Sequence, residues 1–294
     1  SKDVVTTFRG RGDEVRVHPL SFAEYLSVQQ PLPFAEQHLN EYMRLGGLPQ
    51  LVMMNSEQQK RQYLSQLFAN TYLVDIKERY AIKNDDDLEE LIDVIASSIG
   101  SLTNPTKIAN TFASVKQSQL SKDTIKRYLD YMQDAFMIEK AVRYDIKGRK
   151  YIDTPAKYYF EDLGLRNARI NFRQTEPTHL MENLIYNELR VKGYSIDVGQ
   201  VVANTRNANG VSERKQLEVD FVCNNGYKRC YIQSAYSMPS YDKIQQELQS
   251  LMRINDNFLK VIITADMTPT HQMENGVLIL NLMDFLTKEN SLPL

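Results

Sequence analysis

The chain has 294 residues, 42% of them hydrophobic, and a formal net charge of −2. Its length exceeds one typical domain, so two or three are expected, and the near-neutral charge excludes a global pull toward nucleic acid, leaving only local patches for that role. No apolar run approaches the roughly 20 residues of a membrane span, no signal-peptide pattern is present, and Cys223 and Cys230 lack zinc or disulfide-framework spacing; together these point to the cytoplasm, no membrane and free buried thiols.

The first residues, Ser-Lys-Asp, read as the start of a segment of a longer protein. A Gly/Arg turn (Phe8 to Gly12) leads into an alternating strand, Glu14 to His18, closed by Pro19. Ser21 with Glu24 three residues on forms a capping box, and Pro31 and Pro33 break the helix that follows. Leu39, Tyr42 and Met43 continue an apolar face ending at Gly46-Gly47 and Pro49; a longer helix begins near Ser56 and carries Tyr63, Leu67, Tyr72 and Ile76 in helical register.

Residues 84–160 read as a winged helix-turn-helix. Asp85, Asp86, Asp87, Glu89 and Glu90 favour a helix N-terminus, with Leu88, Leu91, Ile92, Ile95 and Ile99 as its buried face. Pro105 opens a second helix (Lys107 to Val115), and Ser121 caps a third, placed where a recognition helix would lie. Wing strands follow at Ile138 to Val142 and Tyr158 to Phe160, around a basic turn. From Lys107 to Lys157 there are 11 Lys and Arg against 6 Asp and Glu. Lys122, Lys126 and Arg127 on the third helix and Lys147, Arg149 and Lys150 at the wing would meet the phosphates of double-stranded DNA. Asp130 and Asp134 share that helix, so a protein-adaptor role fits as well.

After a link at 158–173 comes a helix, Leu180 to Gly193, with Glu182 in its first turn, and then a strand at Tyr194 to Val202. Thr205 to Gln216 is polar and reads as a loop. Glu218 to Ser237 reads as a β-hairpin turning at Asn225-Gly226. Asp220 falls inside its first apolar strand, where a carboxylate is costly unless it is paired, hydrogen-bonded or bound to a cation. A helix from Tyr241 to about Ile254, strands at Leu259 to Thr264 and Val277 to Leu280, and a closing helix at Leu282 to Leu286 complete the chain.

This α-β-β-β-α-β run, with an acid on the helix and an Asp on the second strand, resembles the PD-(D/E)XK nuclease-like core. The words MENLIYNEL, LEVDFV and YIQSAYS, together with Arg44-Leu45-Gly46-Gly47-Leu48-Pro49 and Tyr-Phe-x-Asp-x-Gly-Leu at 159–165, resemble the C-terminal part of a group of prokaryotic AAA-type P-loop ATPases that end in a domain of unknown function. The resemblance implies a multi-domain α/β chain: a remnant of the P-loop core (1–20), a helical lid (21–83), the winged helix-turn-helix (84–160) and a PD-(D/E)XK nuclease-like α/β domain (161–294).

Carried over residue by residue, Glu182 matches the helix acid and Asp220 the strand Asp, the second strand acid falls on Gln233, and the motif's lysine falls on Ala235. Such a site needs two or three carboxylates around Mg²⁺ and a Lys to steady developing charge, so the domain reads as catalytically degenerate, with Asp220 and Glu182 a weak metal pair at most. No G-x-x-x-x-G-K-[ST] occurs in the chain, so the resemblance puts ATP and Mg²⁺ in a core upstream of Ser1, with Arg9 and Arg11 as candidate γ-phosphate arginines. The expected function is that of the C-terminal portion of an AAA-type ATP-binding protein, an ATPase, acting on DNA or a protein partner, with a homo-oligomer as one arrangement. A metal-dependent DNA nuclease and a DNA-binding regulator are the alternatives.

Overall fold

The computed structural model describes residues 15–29, 35–82, 85–116, 120–173, 176–206 and 212–292. The chain divides into two compact units, residues 1–140 with 158–176 and residues 141–157 with 177–294. It is a mixed α/β protein: a helical N-terminal part and an eight-stranded mixed sheet with helices.

The first unit contains helices α1 (Phe22–Val28), α2 (Ala35–Leu45), α3 (Pro49–Val52), α4 (Glu57–Leu67), α5 (Val74–Arg79), α6 (Asp85–Ser97), α7 (Pro105–Thr111), α8 (Lys122–Asp134) and α9 (Leu163–Arg169). A π-helical stretch, Phe68–Leu73, joins α4 to α5. The capping box is present: Ser21 Oγ accepts from Glu24 N at 3.3 Å and Glu24 Oε2 accepts from Ser21 N at 2.8 Å. On α6, Leu88, Leu91, Ile92 and Ile95 are buried, as the 3.6-residue period requires. On α8, Ile125, Tyr128, Leu129 and Met132 turn inward, while Lys122, Lys126 and Arg127 stay exposed. The strand expected at Glu14 to His18 is not formed where the residues are described. Val15 and Val17 are 81% and 87% exposed, and without a neighbouring ladder the alternation has nothing to bury against. Arg16 instead pairs with Glu139 and Glu161.

Two short words of the sequence interlock in this unit. Gly46 holds φ +77°, and a Cβ there would collide with the Asp162 carboxylate; a Cβ on Gly164 would strike the Leu45 carbonyl. Asp162 accepts from Gly47 N at 2.8 Å and from Leu165 N at 2.9 Å, capping α9. Asn167 Nδ2 donates to the carbonyls of Met43 and Arg44 at 3.0 and 2.9 Å. The glycine pair ending α2 and the Asp-x-Gly opening α9 are thus one packing device.

The second unit holds β1 (Ile138–Asp145) and β2 (Lys150–Phe160) by their distal parts. With them are helices α10 (Pro177–Val191), α11 (Tyr241–Leu251) and α12 (Leu282–Thr287), and strands β3 (Ser195–Arg206), β4 (Ser212–Asn225), β5 (Lys228–Ala235), β6 (Leu259–Thr264), β7 (His271–Gln272) and β8 (Leu278–Asn281). The strand order is β2-β1-β3-β4-β5-β6-β8-β7. The wing strands are longer than expected because β1 runs on into this sheet, pairing Arg143, Tyr144 and Asp145 in parallel with Val198, Gly199 and Gln200. The expected hairpin is β4–β5, closed by the pair Asn225↔Lys228 with Gly226 at φ +61°, so the turn is Gly226-Tyr227, one residue later than read. Of the polar stretch expected as a loop at 205–216, residues 205–206 and 212–216 form a β-ribbon with the end of β3, pairing Val202↔Gln216, Ala203↔Lys215, Asn204↔Arg214, Thr205↔Glu213 and Arg206↔Ser212, while 207–211 lie outside the described residues. Its ladder continues beyond the core, with Glu213 to Gln216 exposed, so hydropathy gives no sign of it.

One sheet face packs on α11 through Tyr144, Val201, Val219, Tyr231, Leu251 and Ile262. The other meets α10, where the Tyr186 and Phe221 ring centroids lie 6.3 Å apart. Cys223 and Cys230 face each other across β4 and β5 as free, buried thiols, and burial pushes the Cys223 thiol up. No helix among the described residues is long and apolar enough to cross a membrane.

Candidate functional site

Helix α10 starts at Pro177, a residue suited to a first turn because its missing N–H is not needed there, and so Glu182 sits in the second turn rather than the first. Its residue is 8% exposed. Opposite it, β4 carries a bulge. Between the pairs Asp197↔Val222 and Gly199↔Val219, Asp220 and Phe221 on β4 face a single residue, Val198, on β3. The extra residue keeps Val219 and Val222 on the α11 side while Asp220 and Phe221 both turn toward α10.

The cation that Asp220 demands is Lys157 of β2. Its side chain is 3% exposed, and its Nζ lies 2.8 Å from Glu182 Oε1, 2.6 Å from Glu218 Oε1 and 3.4 Å from Asp220 Oδ1. Asp220 Oδ2 accepts from Ser234 N at 2.9 Å. Burial alone would lower the pKa of Lys157, but Glu182, Asp220 and Glu218 outweigh it and hold the ammonium well above the usual lysine range. Two neutral polar atoms near this cluster are buried without a hydrogen-bond partner among the described residues: Ser234 Oγ, and Oε1 of Gln200, the residue paired with Glu218 across β3 and β4.

The structure brings together Glu182 and Asp220, as read from the sequence, and leaves out Gln233. Tyr231 and Ala235 of β5 belong to the core on the α11 side, so Gln233, between them, faces that way too, with its Oε1 3.4 Å from Ser250 Oγ on α11. The β5 residue beside Asp220 is Ser234. Sequence reasoning missed Lys157 and Glu218. Both lie outside the linear motif: Lys157 on a strand read as a wing, Glu218 two residues before Asp220. The available signal was a lysine inside the run Ala156-Lys157-Tyr158-Tyr159-Phe160, all of it buried.

As arranged, these residues do not fit a divalent cation. Mg²⁺ needs oxygens at about 2.0–2.1 Å in octahedral array. Here the ammonium occupies the point on which the three carboxylates converge. Among the described residues no group of three or more His, Cys, Asp or Glu side chains is arranged to hold a metal.

The other residues read as sites belong to different parts of the chain. Arg9 and Arg11 lie outside the described residues. Lys122, Lys126 and Arg127 belong to the first unit, whereas Lys147, Arg149 and Lys150 lie in and beside the β1–β2 turn in the second; all six are exposed.

A domain of unknown function, DUF8612, matches residues 36–176, ending where the first unit ends. An uncharacterized protein of Haemophilus influenzae is 32% identical over 289 residues, which cover 97% of this chain and 68% of that protein. The chain belongs to that protein's family. Uncharacterized protein MJ1544 of Methanocaldococcus jannaschii is 26% identical over 282 residues, covering 90% of this chain and 60% of its own length. A solved structure, protein VC1899 from Vibrio cholerae, aligns over 97% of this chain and 64% of its own at 13% identity and a TM-score of 0.28.

Proposed function

We propose that this chain is the C-terminal portion of a cytoplasmic AAA-type ATP-binding protein, in which a PD-(D/E)XK nuclease-like unit has exchanged its catalytic metal for a fixed lysine. The carrying observation is Lys157 Nζ, within 3.4 Å of Glu182, Glu218 and Asp220. A metal nuclease needs its cation to bind the scissile phosphate and to activate water, and an ammonium saturated by three carboxylates does neither. What the cluster supplies is a rigid tie between β2, β4 and α10. In this reading the helical part is a lid followed by a winged helix whose α8 meets duplex DNA through Lys122, Lys126 and Arg127, which are exposed and on one helix. Nucleotide binding and hydrolysis belong to a P-loop core that this sequence does not contain.

The test is a cleavage assay on plasmid, duplex and single-stranded DNA with Mg²⁺ or Mn²⁺. The expected result is no cutting above a protein-free control. Metal-dependent cutting that disappears in Asp220→Ala would overturn the reading and restore the nuclease.

A further inference from the structure

On the α11 side of the sheet, away from the acidic cluster, two adjoining cavities of about 570 and 550 Å³ share Tyr227, Lys228, Arg229, Asp256 and Phe258. Each has the volume of a small-molecule site, and the five shared residues set the two side by side as a two-part groove. The first cavity is lined by Lys147, Arg149, Lys228, Arg229 and Arg253 against one acid, Asp256. That acid already accepts from Tyr231 Oη at 2.6 Å and from Phe258 N at 3.2 Å. The charge surplus is therefore concentrated in a chain that is nearly neutral overall.

The cations are of two kinds. Arg229 is fixed: its Nε donates to Asn224 Oδ1 at 2.7 Å, and its guanidinium lies 5.5 Å from the Tyr144 ring centroid and 5.6 Å from that of Phe258. Lys147, Arg149 and Arg253 form no ion pair among the described residues and are exposed. Arg149 sits at φ +51°, in the left-handed region that glycine or asparagine would occupy more easily, so the turn keeps a long cation where a small residue fits better. Tyr227 and Phe258 offer ring surface to solvent, at 89% and 42% exposure.

We propose that this groove binds single-stranded nucleic acid. Guanidinium and ammonium groups hold phosphates without reading sequence, and aromatic rings stack on bases only where these are unpaired. A duplex hides those base faces. A mononucleotide would fill one cavity, whereas two adjoining cavities, with aromatics in the shared wall and cations lining both, match a chain of nucleotides. This inference stands apart from the reading of the acidic cluster, which lies on the opposite sheet face.

The experiment is fluorescence anisotropy of a labelled oligothymidine of about 16 nucleotides with the 294-residue chain, in EDTA so that cleavage cannot enter, across a salt series. Binding at low salt is expected, weakening about fivefold or more in Tyr227→Ala and in Phe258→Ala. Arg149→Glu with Arg253→Glu should weaken it further and flatten the log–log salt slope by about 1.4. Absence of wild-type binding at low salt would overturn the proposal. So would binding that survives both Tyr227→Ala and the Arg149/Arg253 reversal, or equal competition by thymidine monophosphate or by duplex. Tyr227 is exposed enough that its loss does not threaten the fold, so a weakened Tyr227→Ala complex is not a folding artefact.

Discussion

Each unit buries an aspartate, and the two solve the same electrostatic problem in different ways. Asp162 in the first unit is 3% exposed and is answered by backbone N–H groups, those of Gly47 and Leu165. Asp220 in the second is 6% exposed and is answered by a backbone N–H from Ser234 and by the Lys157 ammonium, shared with two further carboxylates. Dipoles stabilise a carboxylate without adding charge, so burial still dominates at Asp162 and pushes its pKa up to about 6. A full counter-charge reverses the balance at the cluster, where the lysine is held protonated far beyond neutral pH. The first device is a pH-sensitive joint; the second is a permanent tie.

The sharpest way to break that contrast is to remove the tie. Lys157→Ala leaves Glu182, Glu218 and Asp220 converging with no cation, and deleting one partner of a buried ion pair typically destabilises by about 3–5 kcal/mol. Urea melts should show a loss of that order, recovered in large part when Glu182→Gln, Glu218→Gln and Asp220→Asn accompany Lys157→Met. Mn²⁺ should raise the Tm of Lys157→Ala and leave the wild type unmoved, because only the variant has carboxylates without a cation. A variant as stable as wild type would show the ammonium to be incidental. From the lysine side, the wild-type tie should be constant with pH: its folded pKa is raised, so its contribution is fully present below the unfolded lysine value of about 10.4.

The Asp162 joint predicts a pH response of definite sign. Its folded pKa is raised from 3.8 to about 6, so the folded state binds the proton more tightly than the unfolded chain does. The stability this brings is full below about pH 4 and is lost as pH rises through 6, a change on the order of 2–3 kcal/mol. Asp162→Asn abolishes the titration. The stability difference, wild type minus variant, should therefore fall between pH 4 and pH 7; a difference that is flat or rises would show that the N–H groups outweigh burial.

Much of this was legible in the sequence where chemistry is local. The Ser21–Glu24 capping box, the apolar face of α6, the hairpin around Gly226 and the strand Leu259–Thr264 all depend on residues a few positions apart. Asp220 could be recognised as anomalous because an acid in an apolar strand is costly wherever it lies. Its partner could not, since Lys157 is 63 residues away on another strand, and only the sheet order brings them together. The assignment of Gln233 failed for a reason of parity: the bulge at Asp220 and Phe221 shifts β4 by one residue, so a linear motif count on β5 lands on the wrong face. The ribbon formed by 205–206 and 212–216 was invisible because its strands pair without burying an apolar face.

A smaller effect separates the glycines of the joint from ordinary turn glycines. At Gly46 an added methyl group meets both a left-handed backbone, φ +77°, and the Asp162 carboxylate, whereas at Gly226, φ +61°, nothing lies within 4 Å of where it would stand. Gly46→Ala should cost about 2–3 kcal/mol, combining conformational strain with displacement of a buried acceptor, and Gly226→Ala about 1 kcal/mol, from strain alone. If Asp162 could swing away freely, its N–H bonds to Gly47 and Leu165 would contribute little and the two variants would melt together. If the joint is as tight as its distances imply, Gly46→Ala should also steepen the pH dependence lost in Asp162→Asn, because a displaced carboxylate that forfeits N–H partners is pushed still further toward its neutral form.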